Sequence, residues 1–267
     1  MALATLVTAL TLLVPACASG NAGITTANGV KLVKAGQLTT CTHLPYPPFQ
    51  FEKDNKVVGF DVAMIDLVAG QLGVQQVIVD KPFETIKTGA DLNAGVCDIA
   101  AAGMTIIDAR KKNLDFSDPY FNATQALLVR KGVAATSIDD IKAHHLKLGS
   151  QSSTTGEDYA HGHDVDTQSF ESSDAELNGL RTGQVDAVIQ DYPVVQNWLK
   201  DPANAEKFQL AANLETGERY GFAVKKDGNP QLLQMINKAI QQAKQDGTYK
   251  KFYEQWVGPM PAGAEGP

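Results

Sequence analysis

The order in which short apolar runs alternate with helix-period segments constrains this chain most. An apolar run at 38–42 reads as a strand. After the turn at Gly59, with Asp61 as N-cap, Met64, Leu67, Val68 and Leu72 fall on one helical face that Gly73 ends. A strand at 77–79, a short helix closed by Asn93-Ala94-Gly95 and a strand of small residues at 98–103 follow. Strand, helix, strand, helix, strand is the signature of a parallel α/β unit. The pattern restarts near residue 125. Residues 125–129 are apolar and extended, Ser137-Ile138-Asp139-Asp140 opens a helix, and 146–149 is a strand. Helices at 174–182 and 194–199 flank a strand at 186–190. A strand at 221–224 then precedes two helices, the first capped by Asn229-Pro230. Its apolar face is Leu232, Leu233, Ile236, Ala239, Ile240 and Ala243, and the second carries the aromatic stripe Tyr249, Phe252, Tyr253 and Trp256, read as core packing. The chain therefore reads as two α/β units.

Size and charge agree with that reading. At 267 residues, 43% hydrophobic and 20% charged, the chain suits one large or two medium domains. A net charge of −7 with no basic run gives no support for nucleic-acid binding. Residues 1–16 are apolar, and the run at 6–14 is too short to span a bilayer but fits the core of a secretory signal. Val14-Pro15-Ala16-Cys17 resembles a lipoprotein cleavage box, which would make Cys17 a lipidation site. The absence of Lys or Arg before the apolar run, and Pro15, depart from that pattern, and the other reading is a plain signal with Cys17 incidental. No later apolar run approaches roughly 20 residues, so no membrane span is expected. Residues 18–30 read as a small, polar tether and 259–267 as a disordered tail. In an exported chain the remaining Cys41 and Cys97 suit either a disulfide or two buried thiols.

The richest stretch for function is AAGMTIIDARKKNLDFSDPYF, residues 101–121. A strand of small residues leads into a turn holding Thr105 and Arg110, and an Arg fork grips carboxylates with two parallel bonds. The second unit supplies SSTTG at 152–156, opening a helix whose free N–H groups, with the Thr154 and Thr155 hydroxyls, suit an anion. It also supplies Asp191 at the end of a strand, an acceptor for an ammonium. Ligands of open α/β sheets sit at the carboxyl ends of strands. Arg on one side and Asp on the other make the minimal clamp for an amino-acid zwitterion. His161-Gly162-His163-Asp164 is a weak metal candidate, and no phosphate loop, C-x-x-C, H-E-x-x-H or G-x-S-x-G occurs, so neither metal nor cofactor is expected.

Taken together, PYPPFQF, GFDVAM, LNAGVCD, AAGMTIIDARKKNLDFSDPYF, SQSSTTGEDYA, VDAVIQDYPV and AIQQAKQDGTYKKFYEQW resemble the bacterial extracellular solute-binding proteins of family 3, the receptors of polar amino acid ABC transporters. The resemblance covers residues 38–257. It implies a type II periplasmic-binding-protein-like fold, α/β, with two lobes that are each an open, mostly parallel sheet flanked by helices. Lobe 1 would be 24–122 plus 218–258 and lobe 2 125–215, with crossings near 122–125 and 215–220. It implies a free amino acid as ligand, an ABC permease and its ATPase as partners, hinge closure as mechanism and no catalysis. By position, Arg110 would pair with the ligand carboxylate with help from Thr155. Gly103 and Thr105 would touch the α-amino and carboxylate groups, Asp191 would take the ammonium, and Tyr46 and Phe83 would wall the side chain. His43 stands where relatives with cationic ligands often carry Asp, and Gln190 adds an amide. Both favour glutamine or glutamate over lysine or arginine. The other reading of His43 is a structural histidine bonded to backbone, and that of Phe83 is a buried packing aromatic. Ser153 departs from the Gly common at its position. Two other functions fit the scaffold: a dehydratase, for which Glu84, Glu157, Glu171 and Asp174 are available carboxylates, and a sensor acting through a separate partner.

Overall fold

A computed structural model describes residues 24–26 and 28–261. The signal segment and Cys17 lie outside the described residues, as does most of the expected tail. Residues 24–30, read as part of a tether, include a strand Ile24–Thr25 paired antiparallel with Lys31–Leu32, and Val30 is fully buried.

Two five-stranded sheets organise the chain. The first runs Gln75–Asp80, Gln37–Thr42, Ile99–Ala100, Ala223–Lys225, Leu114–Phe116 across the sheet. Its first three strands are parallel, and Ala223–Lys225 is antiparallel to both neighbours. The second runs Thr167–Phe170, Leu148–Gln151, Ala187–Asp191, Phe121–Arg130, Phe208–Tyr220. Again three strands are parallel, and Phe121–Arg130 is antiparallel to both neighbours. Four strands of each sheet thus share one direction. Helices flank both sheets, giving the two-lobed, mixed α/β architecture.

Most expected elements occur with shifted ends. The expected strand at 98–103 shortens to Ile99–Ala100, because Gly103 adopts φ 54° and turns the chain out of the sheet. Asp61 does not cap its helix. The N-cap is Gly59, and Asp61 lies inside the first turn of Phe60–Leu72, fully buried.

The two lobes are joined where Phe121–Arg130 and Phe208–Tyr220 run side by side. Their ladder passes from Arg130↔Phe208 to Phe121↔Tyr220 and continues through Tyr120 N–H to the Tyr220 carbonyl (3.0 Å) and Ser117 N–H to the Phe222 carbonyl (2.8 Å). A register shift between Leu214 and Glu218 inserts extra residues, including Gly217 at φ 67°. Beneath the junction lies an aromatic cluster. Phe49 meets Phe121 edge-on at 5.0 Å, and Tyr120 stacks on Phe222 at 4.0 Å. Cys41 and Cys97 form a disulfide with their Cα atoms 5.7 Å apart.

Candidate functional site

A cleft between the sheets is lined by His43, Tyr46, Gln50, Phe83, Ala102, Gly103, Thr105, Arg110, Gln151, Thr154, Thr155 and Asp191. It encloses about 350 Å³, counting the part open to solvent. Nine of the ten ligand residues expected from sequence surround it. Gln50, Ala102 and Gln151 were not anticipated. Each lies inside a motif that was noticed, but none carries the charge that draws attention in a sequence.

Local structure explains each placement. Leu114–Phe116 and Ile99–Ala100 hold the segment between them, whose Ile106 N–H bonds the Arg219 carbonyl (2.8 Å) and whose Thr105 bridges Tyr220. The loop therefore rests on the crossing strand. Gly103 packs so closely on Tyr46 that a Cβ would lie 3.0 Å from the ring. Its N–H is bound to Asp61 Oδ2 (2.9 Å), so it is not available to a ligand. Asp61 also accepts from the Tyr120 hydroxyl (2.7 Å), and burial pushes its carboxyl up to about 7.

Arg110 is 5% exposed. Its Nη1 donates to the Thr105 carbonyl (2.9 Å), Nη2 to the Ser153 carbonyl across the cleft (3.4 Å), and Nε has no acceptor. The guanidinium carbon lies 5.2 Å from the centre of the Phe83 ring. Burial pulls its pKa down and Asp191 pushes it back up. A buried cation with an unpartnered N–H favours an anion within reach.

Opposite stands the helix Thr155–Gly162. Thr154 caps it, accepting from Glu157 N–H (3.3 Å) and donating to the Gln151 carbonyl (2.7 Å). The Thr154 hydroxyl therefore serves the helix although it lines the cleft. Thr155 and Gly156, the first helical residues, have N–H groups without intrahelical acceptors. Thr155 Oγ1 lies 3.5 Å from Thr105 Oγ1 of the other lobe. Ser153 sits at φ 69°, where glycine is usual, and its N–H is held by Glu157 Oε2 (2.8 Å).

Asp191 is 6% exposed and heavily bonded. Its Oδ2 accepts from the Tyr46 hydroxyl (2.5 Å) and the Tyr220 hydroxyl, and its Oδ1 from Gln125 Nε2 (2.5 Å). The same amide nitrogen reaches Glu218 Oε2 (2.8 Å). Burial and the nearby Asp191 raise the Glu218 carboxyl to about 7. Burial likewise raises Asp191, against the three hydrogen bonds and Arg110. Gln125, Glu218 and Tyr220 were not anticipated, because they gather at Asp191 only through long-range strand pairing: Gln125 lies opposite Asp191 in the ladder, and the strand Phe208–Tyr220 brings Tyr220 to Asp191 and Glu218 to the Gln125 amide.

Gln190 corrects the sequence reading. It does not line the cleft. Its amide lies behind Asp191, with Nε2 on Glu176 Oε2 (2.8 Å) and Oε1 on the Tyr46 hydroxyl (2.8 Å) and Asp191 N–H (2.8 Å). His43 lines the cleft while facing backbone on both sides, with Nδ1 2.9 Å from the Lys81 carbonyl and Nε2 3.1 Å from the Glu171 carbonyl. Further out, Ser173 Oγ donates to the Pro45 carbonyl (2.9 Å) and Ser153 Oγ to Glu84 Oε2, both across the cleft. His163 Nδ1 faces the Tyr159 carbonyl (2.8 Å), and no cluster able to hold a metal occurs among the described residues.

The fold and this cleft are shared with known proteins. Residues 38–259 match the model of the bacterial extracellular solute-binding proteins, family 3, and the chain belongs to that family. A protein described as a probable histidine-binding protein of Neisseria gonorrhoeae is 33% identical over 217 residues, 79% of each chain. An ancestral arginine-binding protein, solved with arginine and with glutamine, is 39% identical and superimposes with a TM-score of 0.77 over 84% of this chain and 99% of its own. An ancestral amino acid-binding protein described as a precursor of cyclohexadienyl dehydratase is 34% identical, with a TM-score of 0.76 over 83% of this chain and 96% of its own.

Proposed function

We propose that this protein is an exported receptor that captures a free amino acid between its lobes and hands it to an ABC permease driven by an ATPase. One observation carries the reading: Arg110 from the first lobe, with an unpartnered Nε, and Asp191 from the second lobe border one and the same cleft. Arg110 takes the α-carboxylate, with Thr155 and the first N–H groups of its helix. Asp191 takes the ammonium, with the Gly103 carbonyl and Thr105 beside it. Phe83 and Tyr46 wall the ligand. Because the ligand touches both lobes, it binds the closed form best and shifts the population toward it. The crossings near 122–125 and 215–220 act as the hinge between lobe 1 (24–122, 218–258) and lobe 2 (125–215). Cys17, when lipidated, holds the receptor at the outer face of the membrane.

For the ligand side chain the reading is a polar, uncharged group, with glutamine ahead of glutamate. Asp191 is the one carboxylate among the described residues lining the cleft, which leaves none to pair with a guanidinium or ammonium. The buried amides of Gln50 and Gln151 line it too, and each has an Oε1 without a partner. Two unpaired carbonyl oxygens suit the N–H₂ of a side-chain amide. None of Glu84, Glu157, Glu171 or Asp174 lines the cleft, so a dehydratase has no acid among them aimed at a substrate. Calorimetric titration of the purified protein with the standard amino acids and cystine tests the proposal. Glutamine should bind tightest and arginine at least about tenfold more weakly, as expected for an unpaired buried charge. Binding of none would overturn the receptor reading; preference for arginine would overturn the side-chain assignment alone.

A further inference from the structure

Glu176 belongs to the helix Ser173–Thr182, is fully buried and touches nothing in the cleft. Its one bonded oxygen accepts from Gln190 Nε2. That contact fixes which end of the Gln190 amide faces Tyr46 and Asp191. The Asp191 N–H, which can only donate, independently requires an oxygen on that side (2.8 Å). Gln190 Oε1 is thereby held 2.8 Å from the Tyr46 hydroxyl, which also lies 2.5 Å from Asp191 Oδ2. Tyr46 comes from the first lobe, and Gln190 and Asp191 come from the second. A phenol carries one proton, yet this one is offered two acceptors on the opposite lobe.

We propose that Glu176 is a positioning residue, which locks Gln190 as an alternate acceptor so that Tyr46 can release Asp191 to an incoming ammonium without losing its bond to the second lobe. This rests on the amino-acid reading of the cleft. Asp191 accepts from the Tyr46 hydroxyl alongside the Tyr220 hydroxyl and the Gln125 amide. An ammonium donor arriving at Asp191 competes with these three. The Tyr46 hydroxyl rotates its proton to Gln190 Oε1, already in range, and the inter-lobe bond persists. Without a fixed Gln190, the same step would cost a closure contact. Burial raises the Glu176 carboxyl, and the partner it bonds is the Gln190 amide rather than a cation.

Two thermodynamic cycles test this. The first needs no ligand. Thermal unfolding of wild type, Glu176→Leu, Tyr46→Phe and the double variant should show non-additive losses if Glu176 acts on Tyr46 through Gln190. Additive losses would overturn the positioning role. The second repeats the set by calorimetry with L-glutamine, L-histidine, L-arginine and L-cystine as probes. Glu176→Leu and Gln190→Leu should each weaken the bound probe about tenfold, the value of one neutral hydrogen bond. Neither should matter in the Tyr46→Phe background, and Glu176→Gln, which keeps an acceptor, should restore wild-type affinity. Equal losses in the wild-type and Tyr46→Phe backgrounds would overturn the handover. If wild type binds no probe, the receptor reading fails, and the handover falls with it. The unfolding cycle would still decide the positioning role.

Discussion

The guanidinium of Arg110 lies over the face of Phe83, 5.2 Å from the ring centre. The ring shields the cation from water on one side and keeps its fork turned to the cleft. Arg110→Ala should abolish measurable amino-acid binding, since truncating one partner of a buried charge pair costs about 2–5 kcal/mol or more. Phe83→Leu keeps the apolar wall and removes the π-face. It should weaken binding by about 0.5–2 kcal/mol. Isothermal titration reads both, and an unchanged affinity in Arg110→Ala would refute its role.

Acid should stabilise the fold more than neutral pH does, as far as Asp61 and Glu218 are concerned. Both carboxyls stand at about 7 in the folded protein, above their ordinary values of 3.8 and 4.5. Between those values the folded chain holds protons that the unfolded chain has released. Their contribution is therefore complete below about pH 4 and lost as pH rises through 7. Each group sets a slope of up to about 1.4 kcal/mol per pH unit within that window. Melting curves from pH 4 to 8 should show a flatter dependence for Asp61→Asn and Glu218→Gln than for wild type.

The disulfide closes a loop across a separation of 56 residues. Losing it, by reduction or by Cys41→Ser with Cys97→Ser, should destabilise the protein by about 2–4 kcal/mol. Denaturant titration with and without dithiothreitol checks this. A double-serine variant as stable as wild type would remove the bond from the account of stability.

Ser153→Gly sets two effects against each other. Relief of the left-handed backbone at φ 69° is worth about 1–2 kcal/mol, while the extra freedom of glycine in the unfolded chain costs about 0.5–1 kcal/mol. Net stability should change by about 1 kcal/mol or less. The Ser153–Glu84 contact across the cleft mouth is lost, however. Small-angle scattering of the ligand-free variant should then show a larger radius than wild type.

Much of this was legible in the sequence because it depends on neighbours in the chain. Arg110, Thr105 and the Ser152–Gly156 run sit in short segments whose turn chemistry is local. What was missed depends on pairing between distant segments. The strand Phe208–Tyr220 is rich in polar residues and alternates exposed with half-buried positions along much of its length, so no apolar run announces it. Glu218 meets the Gln125 amide only because the register slips after Leu214. Asp61, standing before an apolar helix, has the pattern of a cap, and only the approach of the Gly103 N–H gives it another task. Gln190 reads as a ligand residue because it adjoins Asp191. Sequence adjacency says nothing of the Glu176 carboxylate that turns its amide away.

The strand Ala223–Lys225 lies between Ile99–Ala100 and Leu114–Phe116, inside the first sheet. Every strand of the second sheet, by contrast, is drawn from one unbroken stretch, 121–220. A chain emerging from the ribosome or an export channel N-terminus first can finish its second lobe while the first still has a gap. The first half of the cleft, including Arg110, is thus assembled last, when residue 225 is delivered.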